Sequence, residues 1–298
     1  MRKSPWEESP IGIAGTGKVA LALGRLLRER GEPVAAVAGR DPERTRAAAG
    51  FVGGIEAVTF SRLPEFASRV LISVSDGAVT EVAETLARAG MRSGAALHTC
   101  GTVGPEALGP LARAGVSCGA LHPLQTVATA EEGLTALHDV AFAIDGEGPA
   151  LGWAEQIVAL LDGRALRIDS SKRVFYHAAA VMASNYAVAL MDAAVMLMGA
   201  AGIEEDTALK ALAPLARASM ANALRLGPSK ALTGPIERGD ASTVAGHLRA
   251  MQSVPGQLRE LYRAAGLQAL EVARKRGLSE AKARELEELL SESERSNG

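Results

Sequence analysis

The stretch Ile11-Gly-Ile-Ala-Gly-Thr-Gly-Lys-Val-Ala-Leu-Ala-Leu-Gly-Arg-Leu-Leu27 decides how the rest of the chain is read. A short apolar run ends in the turn Gly15-x-Gly17-x-x-Ala20, and Val19, Leu23, Leu26 and Leu27 then recur on one face of a helix. In a strand, turn and helix of this kind the first glycine permits the tight turn, and the second lets the backbone approach a pyrophosphate. Ala20 keeps the helix close to the strand, so that the free N–H groups of the first helical turn can bind phosphate. The glycine spacing alone is a weak signal; the strand before it and the helix after it make it a dinucleotide-binding turn. Its expected contacts are Gly15, Thr16, Gly17, Lys18, Val19 and Ala20.

Working outward, the second strand is Pro33-Val-Ala-Ala-Val-Ala-Gly39, followed by Arg40-Asp41-Pro42. The end of this strand faces the adenosine ribose in dinucleotide folds, where a carboxylate accepts from the 2′-hydroxyl and an arginine pairs a 2′-phosphate. Arg40 stands at that point, and a guanidinium matches phosphate bidentately, so the expectation is NADP(H) over NAD(H). Asp41 argues the other way, but Asp before Pro is also a good N-cap for the next helix. Arg44 either adds a second charge or lies on a solvated helix face.

Strands then alternate with helices: Glu56–Phe60, Arg69–Ser75, Ala95–Thr99, Val116–Leu121, Val140–Ile144 and Ala165–Ile168 are the strand candidates. Alternation of this kind predicts an α/β domain with a mostly parallel, doubly wound sheet, whose ligands lie beyond the carboxyl ends of the strands. Ser73, Ser75, Asp76, His98, Thr99 and His122 are the polar residues at those ends, and Ser75, Asp76 and Thr99 join the expected cofactor contacts. From Ser170 onward the pattern is helical only, with the boundary near Ile168: residues 1–168 form the dinucleotide domain and 169–298 an all-α domain. The first of these helices is expected over Lys172–Ala200 and the next over Glu204–Leu224.

The 298 residues suit two domains, and 22% charged residues with a net charge of −2 describe an ordinary globular chain without the basic footprint of a nucleic-acid binder. Cys100 and Cys118 lack metal or redox spacing, and neither a metal set nor a Ser-His-Asp order stands out. Residues 1–10 lack the apolar core of a signal peptide, so a cytoplasmic location is expected. Ala178–Ile203 is long and apolar, but Asn185, Tyr186 and Asp192 interrupt it, which predicts a helix buried in protein and no membrane role. Asp192 is expected to have a structural partner, and the last ten residues to fray.

His177, Val181 and Asn185 are spaced four apart and share one helix face. A histidine can pass a proton to a carbonyl oxygen that receives hydride, and an Asn amide can hold that oxygen, so His177 and Asn185 are the catalytic candidates. Lys172 and Tyr176 are rival proton donors that read as more exposed. His122, at a strand end before Pro123, either contacts nicotinamide or substrate or caps a sheet edge. In the loop Thr233-Gly-Pro-Ile-Glu-Arg-Gly-Asp240, Thr233 and Arg238 could clamp a carboxylate, with Asp240 holding the guanidinium or capping the next helix. His138 and His247 read as structural.

Together Gly15-x-Gly17-x-x-Ala20, Gly39-Arg40, Leu121-His-Pro, His177…Asn185 and Leu232-Thr-Gly-Pro-x-x-Arg-Gly-Asp240 resemble a family with a Rossmann-like N-terminal domain and a C-terminal helical domain of unknown function. The architecture is similar to that of 6-phosphogluconate dehydrogenase, β-hydroxyacid dehydrogenase, ketopantoate reductase and pyrroline-5-carboxylate reductase. The resemblance implies an NADP-dependent reductase and a homodimer built on the C-terminal helices. In the β-hydroxyacid dehydrogenases and ketopantoate reductases the corresponding helix carries Lys-x-x-x-Asn; here Asn185 matches, but Val181 stands at the lysine position, and His177 would have to replace it. The expected reaction is NADPH-dependent reduction of a small carboxylate-bearing 2-oxo acid, with ketopantoate first. The alternatives are an imine reductase of the pyrroline-carboxylate type or a non-catalytic NADP-sensing or partner-binding module.

Overall fold

The structure, a computed structural model, describes residues 9–291 and divides into two compact units, Met1–Asn185 and Tyr186–Gly298. The sequence division after residue 168 and this one differ by the length of one helix, which the first unit keeps.

The first unit opens with β1 (Ile11–Ala14), α1 (Lys18–Glu29), β2 (Val34–Ala38), α2 (Pro42–Val52) and β3 (Glu56–Val58). It continues through β4 (Arg69–Ile72), α3 (Val79–Arg88), β5 (Ala95–His98), α4 (Gly109–Arg113), β6 (Ser117–Pro123), α5 (Ala130–Ala136), β7 (Ala141–Gly146), α6 (Gly148–Leu160), β8 (Arg164–Arg167) and α7 (Arg173–Ala183). The eight strands form one sheet in the order β3-β2-β1-β4-β5-β6-β7-β8. The first six run parallel, while β7 turns antiparallel to β6 and β8 follows it in parallel.

Strand alternation sends successive side chains to opposite faces and builds two cores. Ile11, Ile13, Val37, Leu71 and Leu97 pack under Leu23 and Leu27 of α1 and Trp153 and Ile157 of α6. On the other face Ala14, Ala36, Val70 and Ile72 meet Leu63, Val82, Leu86 and Leu108. The alanines let helices sit close to the sheet, and truncating one of the large residues, Leu23 for example, costs about 2–5 kcal/mol. At the far edge β8 exposes all four residues, Arg164 and Arg167 among them, which blunts the edge against further strand pairing.

The second unit contains α8 (Asn185–Ala200, whose first residue closes the first unit), α9 (Glu205–Leu226), α10 (Pro228–Ala231), α11 (Pro235–Arg238), α12 (Ala241–Ala250), α13 (Gly256–Arg274) and α14 (Glu280–Ser291). Its core joins α12, α13 and α14 through Val244, Leu248, Leu270, Leu286 and Leu290. Neither α8 nor α9 enters that core, and each buries a single residue, Ala193 and Ala208.

Three expectations need correction here. The helix over Lys172–Ala200 is two helices: Ser184, at φ −117° and ψ −74°, interrupts it, with its hydroxyl donating to the carbonyl of Ala180 at 2.7 Å. The apolar stretch is not buried within the chain, since Met182, Tyr186, Val188 and Met196 are exposed, although residues 170–200 have the length and mean hydropathy (1.5) of a membrane span. Asp192 is exposed and has no hydrogen bond or ion pair among the described residues. Of the final ten residues, 289–291 belong to α14, and the expected fraying of the rest lies outside the described residues, as do residues 1–8.

Candidate active site

The sheet order reverses between β1 and β4, and a cavity of about 730 Å³ opens beyond the carboxyl ends of the strands there. Gly15, Thr16, Gly17, Lys18 and Val19 line it, with Arg40, Ser75 and Thr99, as do Arg44, Phe60, Glu81 and Thr85. Gly15 has φ +130°, and a Cβ on it would stand 2.0 Å from the carbonyl oxygen of Ser73, so only glycine fits. Gly17 meets nothing within 4 Å at its Cβ position and leaves room for a ligand against the backbone. Gly17 is also the N-cap of α1, whose first turn has neither a side-chain cap nor an acidic residue. The N–H groups there are free for an anion, and the helix dipole favours one.

Ala20 is fully buried against the sheet and acts through packing rather than through the cavity. Asp41 caps α2, its Oδ1 accepting from the backbone N–H of Arg44 at 2.8 Å. That carboxylate is committed to the helix, while the guanidinium groups of Arg40 and Arg44 have no partner among the described residues. Asp76 does not line the cavity; it accepts from the hydroxyl of Thr102 at 3.2 Å. Thr99 faces the cavity and donates to Ser73 Oγ at 2.9 Å.

A second cavity, about 650 Å³, lies along α7 and the end of β6. His177, Val181 and Asn185 line one side of it, with Ser184, and His122, Gln125 and Thr126 another. The four-residue spacing and the strand-end position therefore converge on one space. Thr126 lines this cavity and Val127 the first, so the two approach each other along that segment.

Tyr176, read from sequence as more exposed than His177, is half-buried in this site, and its hydroxyl lies 2.8 Å from Nδ1 of His122. Their rings meet edge to face at 5.7 Å between centroids, and His122 and His177 at 6.2 Å. Burial pushes the Tyr176 phenol up to about 12, so it keeps its proton and donates to Nδ1. Burial, then the charge of a proton on His177, then the Arg173 guanidinium hold His122 down at about 4, and it is neutral at ordinary pH. His98 is fully buried below both; its Nδ1 accepts from Cys100 N–H at 3.2 Å and its Nε2 donates to the carbonyl of Gly104 at 2.9 Å. Burial, above all, lowers its pKa as well.

In the second unit Thr233 and Arg238 are exposed, and Asp240 does not hold Arg238. Its carboxylate caps α12 instead, accepting from the backbone N–H of Thr243 at 3.1 Å and the Thr243 hydroxyl at 2.7 Å. Those bonds, with Ser242, hold its pKa below the usual carboxylate range. The sequence reading missed Arg173 and Gly101, because neither an arginine opening a helix nor a glycine in a turn signals that two imidazoles rest against it.

Two family models match the chain. A Rossmann-like domain covers residues 7–123, and a domain of unknown function, DUF2520, covers residues 140–292. The chain thus pairs a dinucleotide-type fold with a helical domain characteristic of one family. It belongs to the DUF2520 family. No curated protein matches it. Among solved structures it is similar to a Bacteroides fragilis protein assigned as an NADP oxidoreductase (24% identity, 89% of this chain and 99% of that one, TM-score 0.71). It is also similar to an imine reductase of Streptomyces aurantiacus (15% identity, 91% and 100%, TM-score 0.63). A third likeness is to the pyrroline carboxylate reductase of Plasmodium falciparum with NADP bound (11% identity, 96% and 99%, TM-score 0.57). At these identities the likeness is one of fold.

Proposed function

We propose that the chain is an NADPH-dependent reductase of a small carbonyl or imine compound. The observation that carries this reading is the proximity of two cavities: one floored by an uncapped helix N-terminus with two free arginines at its rim, the other lined by a paired tyrosine and two imidazoles. The residues present fit the cofactor. The Gly15–Ala20 turn would hold the pyrophosphate, and Arg40 with Arg44 the 2′-phosphate, since Asp41 is spent on its cap. The NADP-linked names of the structural neighbours agree with this assignment. NADPH supplies hydride.

The chain supplies the proton and the orientation. His177 is assigned the proton donor to the developing oxygen or nitrogen, and Asn185 the group that holds it. His122, neutral and accepting from the Tyr176 hydroxyl, helps to orient the site. A 2-oxo acid, ketopantoate first, remains the finer proposal. An imine substrate is the second reading. Among the described residues the cavity beside His177 has no arginine or lysine in its lining to meet a carboxylate, and two of the neighbours are an imine reductase and a pyrroline carboxylate reductase. The deciding experiment follows NADPH and NADH oxidation by purified protein against ketopantoate, other 2-oxo acids and cyclic imines. Turnover with NADPH identifies the substrate class. Tight NADPH binding without turnover on any of them would replace the enzyme with an NADP sensor.

We also assign a second copy of the chain as the partner of α8 and α9. Val188, Leu215 and Leu224 are 71%, 64% and 82% exposed on helices that bypass their own unit's core, which a soluble monomer would be expected to cover. A cytoplasmic homodimer accounts for that surface without a membrane.

A further inference from the structure

Arg173 opens α7 and is fully buried, although a guanidinium is charged at every ordinary pH. Its support is thin. Nε lies 3.6 Å from Asp145 Oδ2, and Nη1 donates to the carbonyl of Cys100 at 3.5 Å. Nε and Nη2 have no hydrogen-bond partner among the described residues. A charge buried on so few bonds is costly to the fold, and such a cost calls for a use.

What Arg173 touches supplies one. Cys100 begins the turn that carries Gly101, and a Cβ on Gly101 would stand 2.8 Å from His122 Nε2 and 2.8 Å from His177 Cδ2. The two imidazoles thus rest on the bare backbone of that turn. His98 ties the turn from below through Cys100 N–H and the Gly104 carbonyl, and Thr102 ties it to Asp76. Asp145, the counter-ion, is itself held by the Ser170 hydroxyl at 2.7 Å. The titratable and charged groups around His122 are His177, Tyr176 and Arg173 from α7, Asp76 after β4 and His98 on β5. Asp145 of β7 stands behind Arg173, and Glu106 acts on His98.

We propose that Arg173 is a positioning residue for the His122–His177 pair, anchoring the Cys100–Gly101 turn on which both rings rest and placing a fixed positive charge behind them. The anchor sets the spacing of the rings. The charge repels a proton on His122, which therefore serves as the acceptor from Tyr176 rather than as a second acid. This inference rests on the role proposed for those imidazoles in proton transfer, but its test needs neither cofactor nor substrate.

The test is an NMR titration of the histidine rings in the full-length protein between about pH 3 and 8. In the wild type the His122 signals are expected to titrate near 4. Arg173→Gln removes the charge, its amide ending near the position of Nε; the His122 midpoint is expected to rise, by less than about one pH unit because Arg173 ranks behind burial and His177 among its causes. Arg173→Lys keeps the charge and is expected to leave the midpoint low. A purely structural role would not sort glutamine from lysine in this way. If Arg173→Gln fails to fold, the double variant with Asp145→Asn leaves no orphaned carboxylate and carries the same expectation, because Asp145 is not among the groups that shift His122. An unmoved midpoint in either neutral variant, or the same rise in the lysine variant, overturns the proposal. Absence of NADPH turnover would refute the proposed reaction and leave this result untouched.

Discussion

Tyr176 places its hydroxyl 2.8 Å from Nδ1 of His122, with the two rings at 89° to each other. Removing that hydroxyl leaves the imidazole of a half-buried histidine without its donor, while nothing in the cofactor cavity changes. Tyr176→Phe is therefore expected to lose about 1–3 kcal/mol of stability and about tenfold in turnover, at unchanged NADPH affinity. His177→Ala should lose on the order of a hundredfold or more in turnover, because it removes the donor itself. Steady-state kinetics with NADPH binding measured separately gives both numbers. The reverse ranking would move the proton donor from His177 to Tyr176.

The two variants also mark how far the sequence could be read. The Gly15–Ala20 turn, the strand alternation and Asp41 before Pro42 are local signals, each enforced by sterics within a few residues, and the structure places each where its spacing says. The i, i+4 face of His177, Val181 and Asn185 survives as cavity lining although Ser184 breaks the helix beneath it, since the break falls at its last turn. Tyr176, Arg173 and Gly101 were not legible in the same way. Their importance arises from β6 and the turn after β5 meeting α7 across 54, 73 and 76 residues of chain respectively, and no period in one sequence encodes that meeting. The apolar run of α8 misled for a related reason: hydropathy reports that a face needs covering and not what covers it.

Arg40 has no partner among the described residues, so its charge is available to a 2′-phosphate at little cost in stability. Arg40→Ala is expected to raise the KM for NADPH about 10–100-fold, the loss of one charge-assisted hydrogen-bonded pair, and to leave that for NADH nearly unchanged. Arg44→Ala should show the same selectivity with a smaller factor if it is the second ligand. Equal losses with both cofactors would mean that Arg40 supports the loop and does not read the phosphate.

Gly15 fixes the turn by an approach that no side chain tolerates, with φ +130° and the Ser73 carbonyl oxygen in the way. Gly15→Ala is expected to destabilise the first unit by about 2 kcal/mol or more and to abolish cofactor binding in what still folds. Gly17→Ala meets no protein atom, so stability should hold while NADPH affinity falls. Thermal unfolding with and without NADPH separates the two: Gly17→Ala keeps its Tm but loses the ligand-induced rise, whereas Gly15→Ala loses both.

His98 and His122 are both held below the usual histidine pKa, chiefly by burial. Between about 4 and 6.5 the unfolded chain thus binds more protons than the folded one at His122, and stability rises with pH across that window. Stability is complete above 6.5 and falls as pH drops toward 4, by up to about 3 kcal/mol from His122. Urea unfolding at pH 7.5 and 5 measures it, and His122→Gln should flatten the difference. A wild-type stability independent of pH over that range would contradict the burial of these rings.

Val188 and Leu224 are 71% and 82% exposed on α8 and α9, the two helices that contribute nothing to the core formed by α12, α13 and α14. On a monomer, replacing such residues with glutamate is close to neutral and improves solubility. In a dimer packed through α8 and α9 the same change buries an unpaired carboxylate at the centre of an apolar interface, which is strongly destabilising. Light scattering on the eluting protein should therefore give twice the chain mass of 30.8 kDa for the wild type. It should give the chain mass, or a strongly concentration-dependent value, for the double variant Val188→Glu with Leu224→Glu. A wild type that elutes as a monomer without detergent would remove the homodimer. A wild type that stays soluble only in detergent would instead assign the apolar run over 170–200 to a bilayer.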